Sequence, residues 1–379
     1  MKAVISGYAR SPFHFARKGA LAAMRPDDLA AQVVRGLLAR TGLDPALLDD
    51  VILGVAYPEA AQGNNLARIV SLLAGVPQQV GGMTINRFCG SSMSAIHIAA
   101  AQIEAGIGEA YLCVGVESMT MVPQGGFNFS PHPGLLAETD TYISMGLTAE
   151  NVARRYEVAR ADQEQLATDS HRKAAAARAE GRLRGEIVPI SLPDATVNED
   201  GCIRPATTAA ALAALKPVFL DDGVVTAGTS SPLTDGAAAV LVTSEAFARR
   251  HALAPSARIR SMATIGVDPA FMGMGPVPAT RLALERAGLT VADLDVVEIN
   301  EAFGSQALAC IRELGLDPAT VNLDGGGLAI GHPLGATGAR ITGKAASLLA
   351  REGGRYALAT QCIGGGQGIA TILEAIDAA

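Results

Sequence analysis

The chain has 379 residues, of which 49% are hydrophobic and 18% charged, with a formal net charge of −7. That apolar content fills the cores of two or three compact units and excludes a disordered chain, while the acidic balance excludes nucleic acid as the main partner. No apolar run reaches ~18 residues, so no membrane span is expected, and Arg10 and Pro12 interrupt the stretch where a secretory signal needs an unbroken apolar core.

Asp27-Asp28-Leu29 opens a helix with Leu29, Val33, Val34, Leu37 and Leu38 on one face, ending before Gly42, and Val51-Ile52-Leu53 reads as a strand. A second strand, Met83-Thr84-Ile85, leads into Asn86-Arg87-Phe88-Cys89-Gly90-Ser91-Ser92 and then a helix with Met93, Ile96, Ala100 and Ile103 in register. Ala110 to Val114 follows as a strand. Pro123, Gly125, Gly126, Pro131, Pro133 and Gly134 spell a loop, after which one long helix is expected from Thr148 to Arg182. Residues 151–216 hold 10 lysines and arginines against 9 acids, whereas the remainder holds 20 against 28. This segment is the one suited to a polyanion such as a phosphorylated cofactor.

Further on, Thr280 to Ala287 repeats the first helical pattern, and Gly288-Leu289-Thr290-Val291-Ala292-Asp293-Leu294-Asp295 with Val296 to Ile299 matches Gly42 to Leu53 at a separation of about 246 positions. Cys89-Gly90, a helix and the strand at Ala110 correspond to Leu334-Gly335, a helix and Tyr356-Ala357-Leu358-Ala359 at almost the same offset. Order and spacing agree together, which points to an internal duplication. Each half alternates strand and helix, so an α/β architecture of helices packed on sheets is expected. Ser118 to about Thr234 is then an insertion, large enough to cover a substrate.

The reactive positions fall at turns beside strands and helices. Cys89 precedes a helix whose dipole favours a thiolate, and Gly90 lets a substrate approach the sulfur. His332 sits in Gly325-Gly326-Gly327-Leu328-Ala329-Ile330-Gly331-His332-Pro333, where glycine and proline force a loop ahead of a helix beginning near Gly335. Cys362 ends the strand-like run Tyr356 to Thr360 and is followed by Gly364-Gly365-Gly366, whose amides can face an oxyanion. Asn300 follows the strand Val296 to Ile299. The plainer readings are a small buried thiol at each cysteine and a turn residue at Asn300. Two thiols and an imidazole together suit the making and breaking of a thioester, which points to an acyltransferase. His14, His97, His132, His171 and His251 lack such surroundings and read as structural or surface residues.

Other chemistries fit less well. A metal site would show close-set ligand pairs, and a dinucleotide site a G-x-G-x-x-G between strand and helix; neither pattern is present. Gly338 to Ala345 resembles a phosphate-binding loop, but Ala345 stands where a hydroxyl would hold magnesium. The five cysteines, Cys89, Cys113, Cys202, Cys310 and Cys362, are odd in number and far apart, which suits a reducing cytoplasm.

Asn-Arg-Phe-Cys-Gly-Ser-Ser (86–92), Ala-Gly-Thr-Ser-Ser-Pro-Leu-Thr-Asp-Gly-Ala-Ala (227–238), Asn-Glu-Ala-Phe (300–303), Gly-Gly-Gly-Leu-Ala-Ile-Gly-His-Pro-Leu-Gly (325–335) and Cys-Ile-Gly-Gly-Gly (362–366) resemble, in order, the signatures of the thiolase family. The resemblance implies duplicated βαβαβαββ halves in five αβαβα layers: residues 1–117, an inserted loop domain 118–234 covering coenzyme A, a return to the first half at 235–253, and a second half at 254–379. It implies that Cys89 carries the acyl group, that His332 is its base and an oxyanion donor, and that Cys362 is the acid/base acting on acetyl-CoA. Asn300 would hold a water in one oxyanion hole, and the amides of Cys89 and Gly364 would form the other.

Ser231, Arg204, Met145 and Phe219 are the positions expected at coenzyme A, although Ala211 replaces a family serine. Coenzyme A is then a substrate, with no cofactor permanently bound. Ser144-Met145-Gly146, in place of the His-Met-Gly of short-chain biosynthetic thiolases, and the Arg-Phe before Cys89 lean toward the degradative 3-ketoacyl-CoA branch. A biosynthetic acetoacetyl-CoA thiolase and a non-catalytic acyl-CoA or lipid-binding protein are the alternatives. The family further implies a homodimer or homotetramer, with room for a hydratase/dehydrogenase partner subunit.

Overall fold

The computed structural model describes residues 2–376. In chain order the strands are β1 (Ala3–Arg10), β2 (His14–Phe15), β3 (Asp50–Gly54), β4 (Met83–Ile85), β5 (Ala110–Ser118), β6 (Ile190–Ser191), β7 (Thr196–Val197), β8 (Thr234–Ser244), β9 (Ala257–Gly266), β10 (Val296–Ile299), β11 (Tyr356–Ile363) and β12 (Gln367–Ala375). The helices are α1 (Pro26–Thr41), α2 (Leu66–Ala74), α3 (Ser91–Glu104), α4 (Pro133–Glu138), α5 (Met145–Arg155), α6 (Arg160–Ala179), α7 (Ala209–Ala213), α8 (Glu245–Arg250), α9 (Pro276–Ala287), α10 (Gly304–Leu314), α11 (Gly327–Ile330) and α12 (Leu334–Glu352).

β5 and β8 are buried along their whole lengths, because helices cover both faces and their near-continuous apolar runs leave no side for water. The strand order is β4-β3-β5-β8-β1 followed by β9-β12-β11-β10. Each run repeats the other in mirror order: β3 lies parallel to β5 and β10 to β11, while β8 and β12 return antiparallel. The two runs meet edge to edge only through Val4–Arg258 and Ile5–Ala257. A strongly twisted sheet of this width therefore folds over at a narrow seam and places its two halves face to face.

Between them lie α3 and α12. One core cluster joins Met93, Ile96 and Ile103 of α3, Ile341, Leu348 and Leu349 of α12, and strand residues of both runs. A second packs α1 and α2 on the outer face of the first run, and a third packs α9 and α10 on the second. The layers are therefore helix, sheet, helix, sheet, helix. The middle helices approach closely because Gly338 of α12 lies against the backbone of Met93: a Cβ there would meet its nitrogen at 2.4 Å.

α12 is buried almost end to end yet carries Arg340 and Lys344. Each is paired: Arg340 with Glu298 at 2.9 Å, Lys344 with Glu186 at 2.9 Å and Asp324 at 2.7 Å. Arg10 of β1 reaches Glu186 at 2.8 Å and Asp200 at 2.6 Å, so the 118–234 segment is tied to both sheet runs by buried charge. Charges this deep persist only when paired.

The single helix expected from Thr148 to Arg182 is two, α5 and α6, separated by a turn at Glu157 with φ of 52°. The break buries Val158 beside Val152 in the third cluster. It carries no glycine or proline, which is why helical periodicity ran straight through it. β11 also runs past Thr360 to Ile363, so Cys362 lies within the strand rather than beyond its end. Among the described residues no helix is long and apolar enough to cross a membrane.

Candidate active site

Cys89 sits in a short turn of 3-10 helix, Phe88–Gly90, that feeds α3. Phe88 has φ of 43°, a left-handed conformation that a bulky side chain adopts only when its surroundings impose it. Here the imposition is local: Phe88 N–H donates to Asn86 Oδ1 at 2.7 Å, and Ser91 Oγ donates to the Phe88 carbonyl at 2.6 Å while accepting from Arg87 N–H at 2.9 Å. Gly90 packs on Ile363, whose Cδ1 would stand 2.4 Å from a Cβ at this position. The Cys89 turn thus lies on β11 and β12 of the opposite sheet run.

The Cys89 residue is partly exposed, but its thiol is enclosed, and burial pushes it up to about 11 against the pull of the Gly364 N–H and its own N–H. Those two amides are the pair expected as an oxyanion hole. Gly364 opens the turn between β11 and β12, where Gly365 and Gly366 take φ of 78° and 82°. Side chains at those two positions would strain the turn that aims the Gly364 amide. Cys362 is buried among Met145, Met272, Ala302 and Phe303. Burial first, then the neighbouring Cys89 sulfur, holds it well above the ordinary thiol range. Cys89, Cys362 and Gly364 therefore converge.

His332 and Asn300 form a second pair. The Asn300 Nδ2 lies 3.3 Å from His332 Nε2 and 3.4 Å from Nδ1, so it is in line with neither nitrogen. The ring is set by Thr337, whose Oγ1 is 2.7 Å from Nδ1 and donates to the Pro333 carbonyl at 3.2 Å. With that hydroxyl proton committed, Nδ1 carries the ring proton and Nε2 keeps its lone pair, a tautomer assigned from the bond network. Thr234 Oγ1 accepts from the His332 N–H at 3.1 Å. Burial lowers His332 to about 4, so the imidazole is neutral and able to accept a proton at pH 7.

The two groups are connected through Leu334, which packs with Tyr57, Met119 and Cys89, and through Ala302, which packs with Cys362. Glu117 makes a further link. Its buried carboxylate accepts from Ala56 N–H at 2.8 Å, Gly335 N–H at 2.9 Å, Gln62 Nε2 at 2.8 Å and Tyr57 N–H at 3.3 Å. Burial raises it to about 7, and its charge opposes ionisation of Cys89. It pins the start of α12, just after His332, to the loop beside the nucleophile.

The positions expected at coenzyme A divide. Met145 lies against Gly364, with its sulfur 3.4 Å from where a Cβ would stand, and Phe219 packs on Gly146 and meets Phe303 edge-on at 6.1 Å. Arg204 lies elsewhere, over the Phe15 ring at 4.9 Å, in a depression shared with His171, Thr207, Ser230 and Leu328. The neighbouring Ser231 donates its backbone N–H to Ala302 at 2.9 Å. His171, read from the sequence as structural, accepts the Arg204 N–H at 3.1 Å on Nδ1. Thr337 and Glu117 were missed. Glu117 had a signal, as a lone acid in the apolar run Ala110–Ser118; Thr337 had only its place in the first turn after His332.

Residues 3–246 match the family model "Thiolase, N-terminal domain" and residues 253–375 match "Thiolase, C-terminal domain". The chain is 48% identical to a 3-ketoacyl-CoA thiolase of Shewanella baltica, over 99% of this chain and 100% of that protein. It is equally 48% identical to one of Escherichia coli, over 98% and 99%. The solved structure of human mitochondrial 3-ketoacyl-CoA thiolase in complex with CoA superposes with a TM-score of 0.92 at 38% identity, covering 99% of this chain and 98% of that one. With two family models spanning both sheet runs, full-length relatives and a common fold, this chain belongs to the thiolase family.

Proposed function

We propose that this chain is an acetyl-CoA C-acyltransferase that cleaves 3-ketoacyl-CoA with coenzyme A, giving acetyl-CoA and a shortened acyl-CoA through an acyl-Cys89 intermediate. The observation that carries this reading is the convergence of the Cys89 thiol, the Cys362 thiol and the Gly364 amide. Both thiols are raised and His332 is lowered, so the resting site is neutral. A thiolate forms only as its proton moves to the imidazole, when a carbonyl is present to attack.

Cys89 Sγ attacks the 3-keto carbon and the bond to the acetyl-CoA unit breaks. The departing enolate oxygen is held by protonated His332 and by the Asn300 amide side, and Cys362 gives the enolate carbon its proton. Coenzyme A then loses its thiol proton to Cys362 and attacks the acyl-Cys89 carbonyl, whose oxyanion faces the Cys89 and Gly364 amides. Cys89 leaves as the tetrahedral species collapses and takes its proton back from His332, which restores the resting site, and every step reverses for condensation. Met145 and Phe219 flank the Cys362 end of the ligand; Arg204, Ser231 and the 118–234 segment take the remainder of coenzyme A. The relatives named 3-ketoacyl-CoA thiolase at 48% identity support the degradative direction and a place in fatty-acid β-oxidation. Five free thiols support a reducing cytoplasm. The outer edge of β4, where the strand order ends, supports a homodimer or homotetramer.

The test is an initial-rate grid over 3-ketoacyl-CoA and coenzyme A at several chain lengths. Parallel double-reciprocal lines are expected from the two half-reactions. Intersecting lines, or no turnover at any chain length, would overturn the reading.

A further inference from the structure

Gln361 has no exposed surface, and its side chain spans the boundary between the two sheet runs: Nε2 donates to the Cys89 carbonyl, 272 positions away in sequence. Among the described residues its Oε1, which is buried, has no partner. The acceptor at Cys89 decides which end of the amide points there, since a reversed amide would set two oxygens together. Gln361 and Ile363 leave one face of β11, and Cys362 between them leaves the other. A single short stretch of strand thus holds the nucleophile turn with one residue and presents the second thiol with the next.

The N-terminal side of Cys89 is already fixed, by Asn86 and Ser91 on the left-handed Phe88. On its C-terminal side the Gly90 N–H donates to the Arg87 carbonyl at 2.9 Å and Ser91 opens α3, while the Cys89 carbonyl itself is held from the other run by Gln361. We infer that Gln361 is a positioning residue for acyl transfer: by holding the Cys89 carbonyl it sets the direction of the Cys89 thiol and amide relative to Cys362 and Gly364. This rests on Cys89 being the nucleophile. The unpartnered Oε1 separates positioning from mere stability. A methionine or leucine would fill the same space without the unbonded Oε1 but would take the Nε2 bond away from the Cys89 carbonyl, so the two effects on stability oppose each other and the geometry at Cys89 is what the change removes.

The experiment compares wild type with Gln361→Met and Gln361→Leu, the second guarding against one variant that fails to fold. Three readings are taken: rapid-quench acylation of Cys89 by a 3-ketoacyl-CoA, the pH dependence of Cys89 alkylation by iodoacetamide, and Tm. Acylation slower by about tenfold, an alkylation profile moved to higher pH, and an unchanged or raised Tm are expected. Acylation and alkylation within about twofold of wild type would overturn the inference. So would a loss of rate that tracks a lowered Tm, since that marks a structural contact. Wild-type protein that turns over without acylating Cys89 would remove the nucleophile reading itself, and this inference with it.

Discussion

At the scale of single residues, burial decides the protonation states that the chemistry starts from. Cys89 raised to about 11 and His332 lowered to about 4 make a neutral pair rather than a thiolate–imidazolium. Alkylation of Cys89 by iodoacetamide should therefore keep rising with pH beyond the ordinary thiol value of 9.0; a plateau below it would contradict the enclosed thiol. Because the folded His332 value lies below the ordinary 6.5, the folded chain binds fewer protons than the unfolded one between those values. Stability from this group is full above 6.5 and is lost as pH falls toward 4, and the acid limb of kcat/KM should lie well below 6.5. Thr337→Val removes the 2.7 Å bond at Nδ1 and should lower kcat by about 10²-fold while costing about 1 kcal/mol of stability. Cys89, His332 and Cys362 were legible in the sequence because turn-forming glycine and proline surround each. Thr337, Glu117 and Gln361 were not, because their partners arrive only in three dimensions: Glu117 meets Gly335 across 218 positions.

At the scale of elements, the site depends on how closely α3 and α12 approach. Gly338→Ala would drive a methyl into the Met93 backbone, which cannot yield as a side-chain tip can. A loss of about 1–3 kcal/mol is expected by thermal or denaturant unfolding, with activity falling as both helix starts shift. Strands β3, β4, β5, β10 and β11 and helices α1, α3, α9 and α12 were anticipated from periodicity, and the repeat at about 246 positions is visible in the paired strands β3 with β10 and β5 with β11. The turn between α5 and α6 could not, because burial of Val158 rather than a breaking residue sets it.

At the scale of the whole molecule, the candidate site is divided between the two sheet runs. Cys89 comes from the first; His332, Asn300, Cys362 and Gly364 come from the second, and the 118–234 segment is fastened to both through Glu186 and Asp200. Asp324→Asn would leave the buried Lys344 with Glu186 as its remaining carboxylate and should lower stability by about 1.5–3 kcal/mol in denaturant unfolding. That network was not readable from sequence, where α12 shows only an amphipathic pattern with three cations, Arg340, Lys344 and Arg351. The division itself is tested most directly by mass spectrometry of the Cys89 peptide after brief mixing with a 3-ketoacyl-CoA and no free coenzyme A. One acyl mass on Cys89 is expected, abolished in Cys89→Ala and released when coenzyme A is added. Turnover by protein whose Cys89 stays unmodified would contradict the account.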